Sequence, residues 1–243
     1  MAPLRAGRPL KRWRYLGVYR RDLMLCVGDA RVAGVPQRWW AVALPDGRLF
    51  EGSRRVELGE RRVRVRSVLE LELAPPQGVE VVSAHGRSYI WTSKRAPVHV
   101  RGRVSVGGES FELDGADGFV DESAGYHARH TAWRWSAGIG RTDDGRALAW
   151  NLVDGVHDAP TGSERTVWVD GEPRELPPQE FAADLSSVGG LRFREWSARE
   201  SSLDLILMRN RYRQPFGEFS GTLPGGLTLA EGFGVMEEHD VLW

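Results

Sequence analysis

Pairs of turn-forming residues recur roughly every ten positions along this chain, a spacing that leaves room for short strands and little else. Pro45-Asp46-Gly47 separates Trp39–Leu44 from Arg48–Glu51, and Gly107-Gly108 separates Val98–Val106 from Glu109–Leu113. Asp143-Asp144-Gly145 lies between Trp133–Ile139 and Arg146–Val153, and Asp170-Gly171 between Thr166–Val169 and Glu172–Leu176. Pro224-Gly225-Gly226 divides Gly217–Leu223 from Leu227–Phe233. Asp-Gly and Gly-Gly pairs reach the positive φ angles that tight turns demand, so each of these stretches predicts an antiparallel hairpin. From Val63 to Leu73 apolar residues fall at every second position for most of the run, which puts one face inward and one in water. Leu203–Leu207 is more continuously apolar, as in a strand covered on both sides. Glu195–Ser201 reads as strand rather than as a short helix.

About eighteen to twenty candidate strands emerge, and an eight-stranded lipocalin-type barrel takes roughly 100–120 residues with its turns. The expected fold is therefore all-β: two lipocalin-like antiparallel β-barrels or half-barrels packed together. The expected division is residues 1–122 and 123–243, with the seam in the Gly-, Asp- and Ala-rich stretch Asp114–Gly125. A single large sandwich is the competing arrangement.

Hydrophobic content of 41% is enough for a substantial core. Basic and acidic residues number 33 each, so no net field draws the chain to nucleic acid or to an anionic membrane. Residues 1–21 are locally basic, carrying Arg5, Arg8, Lys11, Arg12, Arg14, Arg20 and Arg21 before the first acid, and read as a solvated Arg-rich tail. Trp13, Arg14 and Tyr15 stand where a signal peptide would place its apolar region, and no run approaches the ~20 apolar residues of a membrane span. Cys26 is the only cysteine, which fits a reducing cytoplasm, and its setting in Leu23–Val27 reads as a buried strand with an inert thiol.

The densest chemical constellation is Asp121 to Trp135. On a strand, Thr131, Trp133 and Trp135 share one face, with Ala132, Arg134 and Ser136 on the other. Trp133 and Trp135 then line a pocket or fill a core, and His127 or His130 stands at the rim as proton donor or acceptor, since imidazole titrates near neutrality. Asp121 or Glu238 is placed to orient it. Tyr126, Asn151 and Trp168 complete the expected ligand-binding set; Asn151 interrupts an apolar strand and needs either a neighbour or a ligand. The run Glu237-Glu238-His239-Asp240 reads as a solvated edge or as an acid held protonated by its neighbours, and Trp243 as a docked terminus. Asp154, His157 and Asp158 match no strong metal-ligand spacing, and His127-Ala128-Arg129-His130 lacks the Glu of a zinc-protease helix, so no metal is expected. Phosphate-loop, dinucleotide and nucleophile-elbow signatures are missing from the sequence, and no cofactor is expected.

Tyr89-Ile90-Trp91-Thr92-Ser93-Lys94 followed by Pro97 and Gly102 resembles a motif of an uncharacterised bacterial family, domain of unknown function 2804. So do the Gly125–Gly138 block, Trp150-Asn151, Gly162-Ser163-Glu164, and the tail from Gln214-Pro215-Phe216-Gly217 to Asp240. Relative to many members the chain starts later and lacks a Cys-containing leader. More distantly it is similar to the paired-lipocalin proteins that include carotenoid hydratases and tocopherol cyclases. That resemblance implies a pocket for an apolar small molecule and proton-transfer chemistry upon it, as in a hydratase, cyclase or isomerase. Such chemistry would have Trp133, Trp135 and Trp168 stabilising positive charge. A non-catalytic lipid or pigment carrier is the alternative, and the oligomeric state stays open.

Overall fold

A computed structural model describes residues 1–205 and 208–242; the expectations that Ile206 and Leu207 continue a covered strand and that Trp243 is docked lie outside the described residues. Among the described residues there is no helix. A small hairpin of β1 (Leu4–Arg5) and β2 (Arg8–Pro9) leads into the first sheet. Its strands are β3 (Lys11–Tyr19), β4 (Met24–Val32), β5 (Val35–Ala43), β6 (Leu49–Gly52), β7 (Val56–Leu58), β8 (Arg62–Val65), β9 (Leu69–Ala74), β10 (Val79–His85), β11 (Ser88–Val106), β12 (Glu109–Glu112) and β13 (Ala116–Gly125). The second sheet holds β14 (His130–Thr142), β15 (Ala147–Asp154), β16 (Thr166–Val169), β17 (Glu172–Glu175), β18 (Ser187–Val188), β19 (Leu191–Leu205), β20 (Met208–Leu223) and β21 (Leu227–Leu242).

In hydrogen-bonded order the first sheet runs β6-β5-β4-β3-β13-β11-β9-β8-β7, with β10 and β12 attached to β11; the second runs β17-β16-β15-β14-β21-β20-β19-β18. All pairings are antiparallel. The first sheet curls until residues from strands near its two ends, Phe50 and Val56, meet in one aliphatic core with Leu16, Leu25, Leu71 and Val100. The second curls around Trp150, Leu152, Val167, Leu191, Phe219 and Met236. The molecule is thus a pair of lipocalin-like antiparallel half-barrels. Gly138 shows how tightly the second is filled: a Cβ there would lie 2.1 Å from the Trp150 ring, which is laid across the strand where glycine leaves room.

All five predicted turns close hairpins, joining β5 to β6, β11 to β12, β14 to β15, β16 to β17 and β20 to β21. Glu195–Ser201 is strand, within β19. Other expectations are corrected. The alternating run Val63–Leu73 is not one strand: it folds on itself at Arg66–Val68, where Ser67 takes φ 67°, and each arm keeps its valines or leucines inside. Leu203 is exposed rather than covered. The basic segment is no solvated tail, because β3 lies mid-sheet between β4 and β13, with Lys11 buried and Leu16 and Val18 in the core. Its arginines sit where strand periodicity turns them to the rim, as with Arg14 on Glu122 at 2.7 Å. The glycine-rich stretch Asp114–Gly125 is itself largely strand, and the path passes from the first sheet to the second through residues 126–129.

The two half-barrels meet back to back. Tyr15, Tyr19, Met24, Cys26, Ala41 and Phe119 of the first sheet pack on Trp135, Ala137, Ala149, Trp168, Phe216 and Val235 of the second. Each of these strands therefore has two buried faces: in β3 the even positions Leu16 and Val18 point to the core, the odd positions Tyr15 and Tyr19 to the seam. The buried tryptophans divide accordingly. Trp150 fills an inner core, while Trp135 and Trp168 belong to the seam.

Candidate active site in the seam between the half-barrels

At one end of the seam the two sheets part around a cavity of about 190 Å³. The strands that reach it contribute mainly alternate residues: Lys11, Trp13 and Tyr15 from β3, with Arg12 at the margin, Thr92 and Lys94 from β11, Asp121 from β13, Trp133 and Trp135 from β14, Glu237 and His239 from β21. The register of β14 on β21 sets Trp135 opposite Glu237 and Trp133 opposite His239, so both pairs share the seam face. The indoles of Trp13 and Trp133 stack across the gap, 6.1 Å between centroids and 8° from parallel, and Tyr15 meets Trp135 edge-on at 5.5 Å.

Two ionic stations stand in these aromatic walls. In the first, Lys94 bonds Asp121 Oδ1 and lies 3.3 Å from Glu164 Oε1, all three side chains being buried. Trp13 Nε1 donates to the other Asp121 oxygen at 3.2 Å. Burial works against the Lys94 ammonium, but its two carboxylate partners outweigh it and raise its pKa. Burial also raises Asp121, helped by the like charge of Glu164 and opposed by Lys94. One cation between two carboxylates leaves an excess negative charge, and Glu164 Oε2 has no partner within the protein.

The second station is Glu237. Burial pushes its carboxyl up to about 7, against the pull of three donors. Those donors are Trp133 Nε1 at 2.8 Å on Oε1, and Tyr212 Oη at 3.0 Å with Gln214 Nε2 at 2.9 Å on Oε2. His239 stacks on Trp133 at 4.3 Å, bonds Asn210 at 2.6 Å, and is pushed down to about 4 by burial, hence neutral. A carboxyl that titrates near neutrality, with donors ready for its conjugate base, is equipped for proton transfer.

Among the residues singled out by sequence, Asp121, Trp133 and Trp135 line the cavity. Asn151 stands one layer behind: its Oδ1 accepts from Trp135 Nε1 at 2.7 Å and its amide donates to the Glu164 carbonyl at 2.8 Å, so it fixes an indole. Trp168 packs on Phe119 deeper in the seam. Tyr126 is buried, with its hydroxyl on the Ala2 carbonyl at 2.7 Å. His127 is buried beside Trp13, 4.9 Å between rings, and does not border the cavity. His130 and Glu238 lie on the outward face of their strands, paired with Asp240 and Arg134. Neither Asp121 nor Glu238 orients His130. Sequence reasoning does not single out Lys94 or Glu164 as site residues, and it names Glu237 only within the run Glu237–Asp240, settling on Glu238. Lys94 and Glu164 sit inside the resembling motifs, and Glu237 is one residue from Glu238, on the strand's other face.

Residues 47–243 match the model of a family described as a domain of unknown function (DUF2804), and the chain belongs to that family. No curated protein matches it in sequence. Among solved structures it is similar to a putative AttH (NE1406) from Nitrosomonas europaea, at 14% identity over 98% of both chains with a TM-score of 0.52. It is also similar to CghA, at 10% identity over 96% of this chain and 88% of that one, TM-score 0.51. Kievitone hydratase from Nectria haematococca aligns over 96% of this chain and 88% of its own at 8% identity, with a TM-score of only 0.42. At these identities the first two likenesses establish the fold, the paired half-barrel seen here.

Proposed function

We propose that the seam cavity is the active site of an acid/base enzyme acting on a small, largely apolar molecule, with Glu237 as the group that delivers the proton. The supporting observation is the Glu237 carboxyl, held near neutrality by burial yet supplied with three hydrogen-bond donors, at the wall of an aromatic cavity. The donors favour the carboxylate that proton donation leaves behind, and burial favours the acid that must be present beforehand.

In this reading Glu237 protonates a carbon–carbon double bond, and the carboxylate keeps the electron pair of the broken O–H bond. The cation formed on the substrate faces the indoles of Trp13, Trp133 and Trp135, whose ring faces attract positive charge. Capture by water gives hydration, attack by a second double bond gives cyclisation, and loss of a different proton gives isomerisation. Asp121, beside the same cavity, is suited to take that later proton. The proton donor is thus placed on Glu237 rather than on His127, His130 or Glu238, none of which borders the cavity.

Incubation with a panel of isoprenoid- and polyketide-like alkenes in D₂O tests this, followed by mass spectrometry for deuterium on carbon. The expected result is incorporation by the native protein and a rate lower by about 10²- to 10⁴-fold in Glu237→Gln. An alkene turned over equally fast by both proteins would remove Glu237 from the chemistry. A carrier is the second reading, favoured by the stacked indoles alone; it predicts an apolar ligand retained equally by the native protein and by Glu237→Gln, with no deuterium in it.

A further inference from the structure

Three of the six histidines, His85, His127 and His157, lie close together near one end of the seam cavity, and of these only His157 borders it. His157 is buried and lines the cavity; its Nδ1 is 2.8 Å from Ser83 Oγ, and its Nε2 has no hydrogen-bond partner within the protein. His127, also buried, leaves Nδ1 without a partner, and the half-buried His85, 6.1 Å away between ring centroids, leaves Nε2 without one. Lys11, buried and bordering the same cavity, stands within electrostatic reach of His127 and His85. Leaving a buried polar nitrogen unbonded is costly, so the His157 Nε2 at the cavity wall implies a ligand that satisfies it.

The chemistry of that ligand follows from the wall. Lys11, Arg12, Lys94 and Arg199 border the cavity against Asp121, Glu164 and Glu237, and Glu237 is held largely protonated below about 7. The groups at the histidine end, an ammonium and an imidazole N–H, can donate hydrogen bonds. Among the described residues no three His, Cys, Asp or Glu side chains are grouped to hold a metal ion, so the imidazoles are read as hydrogen-bonding groups.

The geometry points to a head-group subsite: the molecule that fills the seam is amphipathic, carrying a carboxylate or an acidic enol that Lys11 and His157 bind, with its apolar body against the indoles. This rests on the seam cavity being the substrate site. It adds polarity and direction to the substrate: acidic group toward Lys11 and His157, reacting double bond toward Glu237. Binding draws protons in. Burial lowers Lys11 to about 7 and His157 to about 4, and an anion alongside would raise both. The groups facing them are Arg8, His85 and His127 around Lys11, and Lys94, Asp121, His85 and Asp158 around His157.

A matched pair of probes tests the subsite: 2-naphthoate and 2-naphthalenemethanol, titrated while following tryptophan fluorescence at pH 6.5 and 8.5. The acid is expected to bind about tenfold more tightly than the alcohol at the lower pH, as a charged hydrogen bond provides, with the preference shrinking at the higher pH. Lys11→Met should reduce the preference to within about threefold. His157→Asn should reduce it less; asparagine tolerates the φ of 51° at that position, which guards against misfolding. Equal binding of acid and alcohol, or a preference that survives both substitutions, overturns the head-group subsite and leaves the role of Glu237 untouched. Binding of neither probe overturns the seam as a ligand site, and both readings with it.

Discussion

The inner cores of the two half-barrels and the seam between them are built from the same strands, yet they have opposite chemistry. The first core gathers aliphatic side chains, Leu16, Leu25, Leu71 and Val100 among them, and the second adds aromatic rings such as Trp150 and Phe219 with a buried bond from Trp150 Nε1 to Ser136 Oγ. The seam holds buried Lys94, Asp121, Glu164 and Glu237 among Tyr15, Trp133 and Trp135. Burying charge is costly, and a buried ion pair seldom stabilises more than apolar packing would. The contrast teaches that the cores supply the stability that offsets burying ionisable groups, and that this fold gathers its buried carboxylates between its barrels rather than inside them.

Three tests would break or sharpen that contrast, the largest effect first. Trp150→Ala empties a fully buried ring site beneath Gly138 and beside Phe219, and should cost about 3–5 kcal/mol of unfolding free energy. Trp133→Ala, bordering a cavity already open, should cost under about 1.5 kcal/mol but weaken naphthoate binding. Urea denaturation of both variants checks the pair, and equal losses would mean the seam is as tightly packed as the core.

Lys94→Met comes next. It strands Asp121 and Glu164 together without their cation, and should destabilise by about 3 kcal/mol at pH 7.5. Adding Asp121→Asn should recover most of that loss. A Lys94→Met protein as stable as the native one would show the triad to be solvated rather than buried.

The last test is a pH dependence. In the fold Glu237 keeps its proton up to about 7, against 4.5 for an ordinary glutamate. Between those values the folded state binds more protons, so this group's contribution falls as pH rises through that window and is flat above it. His239 and His157 act oppositely: their folded pKa near 4 lies below the ordinary 6.5, so their contribution is complete above 6.5 and is lost as pH falls toward 4. Glu237→Gln removes the first effect alone. The variant should match the native protein near pH 4.5 and exceed it by about 3 kcal/mol at pH 8, read from urea midpoints across pH. A difference independent of pH would mean that Glu237 is charged in the fold at neutrality.

The Glu237/Glu238 pair shows how far sequence reaches and where it stops. Period-two alternation is enough to put Trp133 and Trp135 on one face of β14, and the turn pairs are enough to locate the hairpins, because both are local properties of the backbone. Which of two adjacent glutamates joins those indoles depends on the register of β21 against β14, strands about a hundred residues apart in sequence. The exposed pairing of His130 with Asp240 is illegible in the sequence for the same reason.

What the chain determined by itself was its class: turn residues at short intervals and alternating apolar positions permit antiparallel strands, and strands in this number curl into two half-barrels. Only the tertiary structure decided that the half-barrels sit back to back. That arrangement gives strands such as β3 and β14 a second buried face, and turns a basic N-terminal segment into one wall of a cavity. Alternation reports that one face differs from the other, but a seam face rich in tyrosine, tryptophan and scattered charges reads like a solvated one. What distinguishes the two is contact with a distant sheet, which no local pattern encodes.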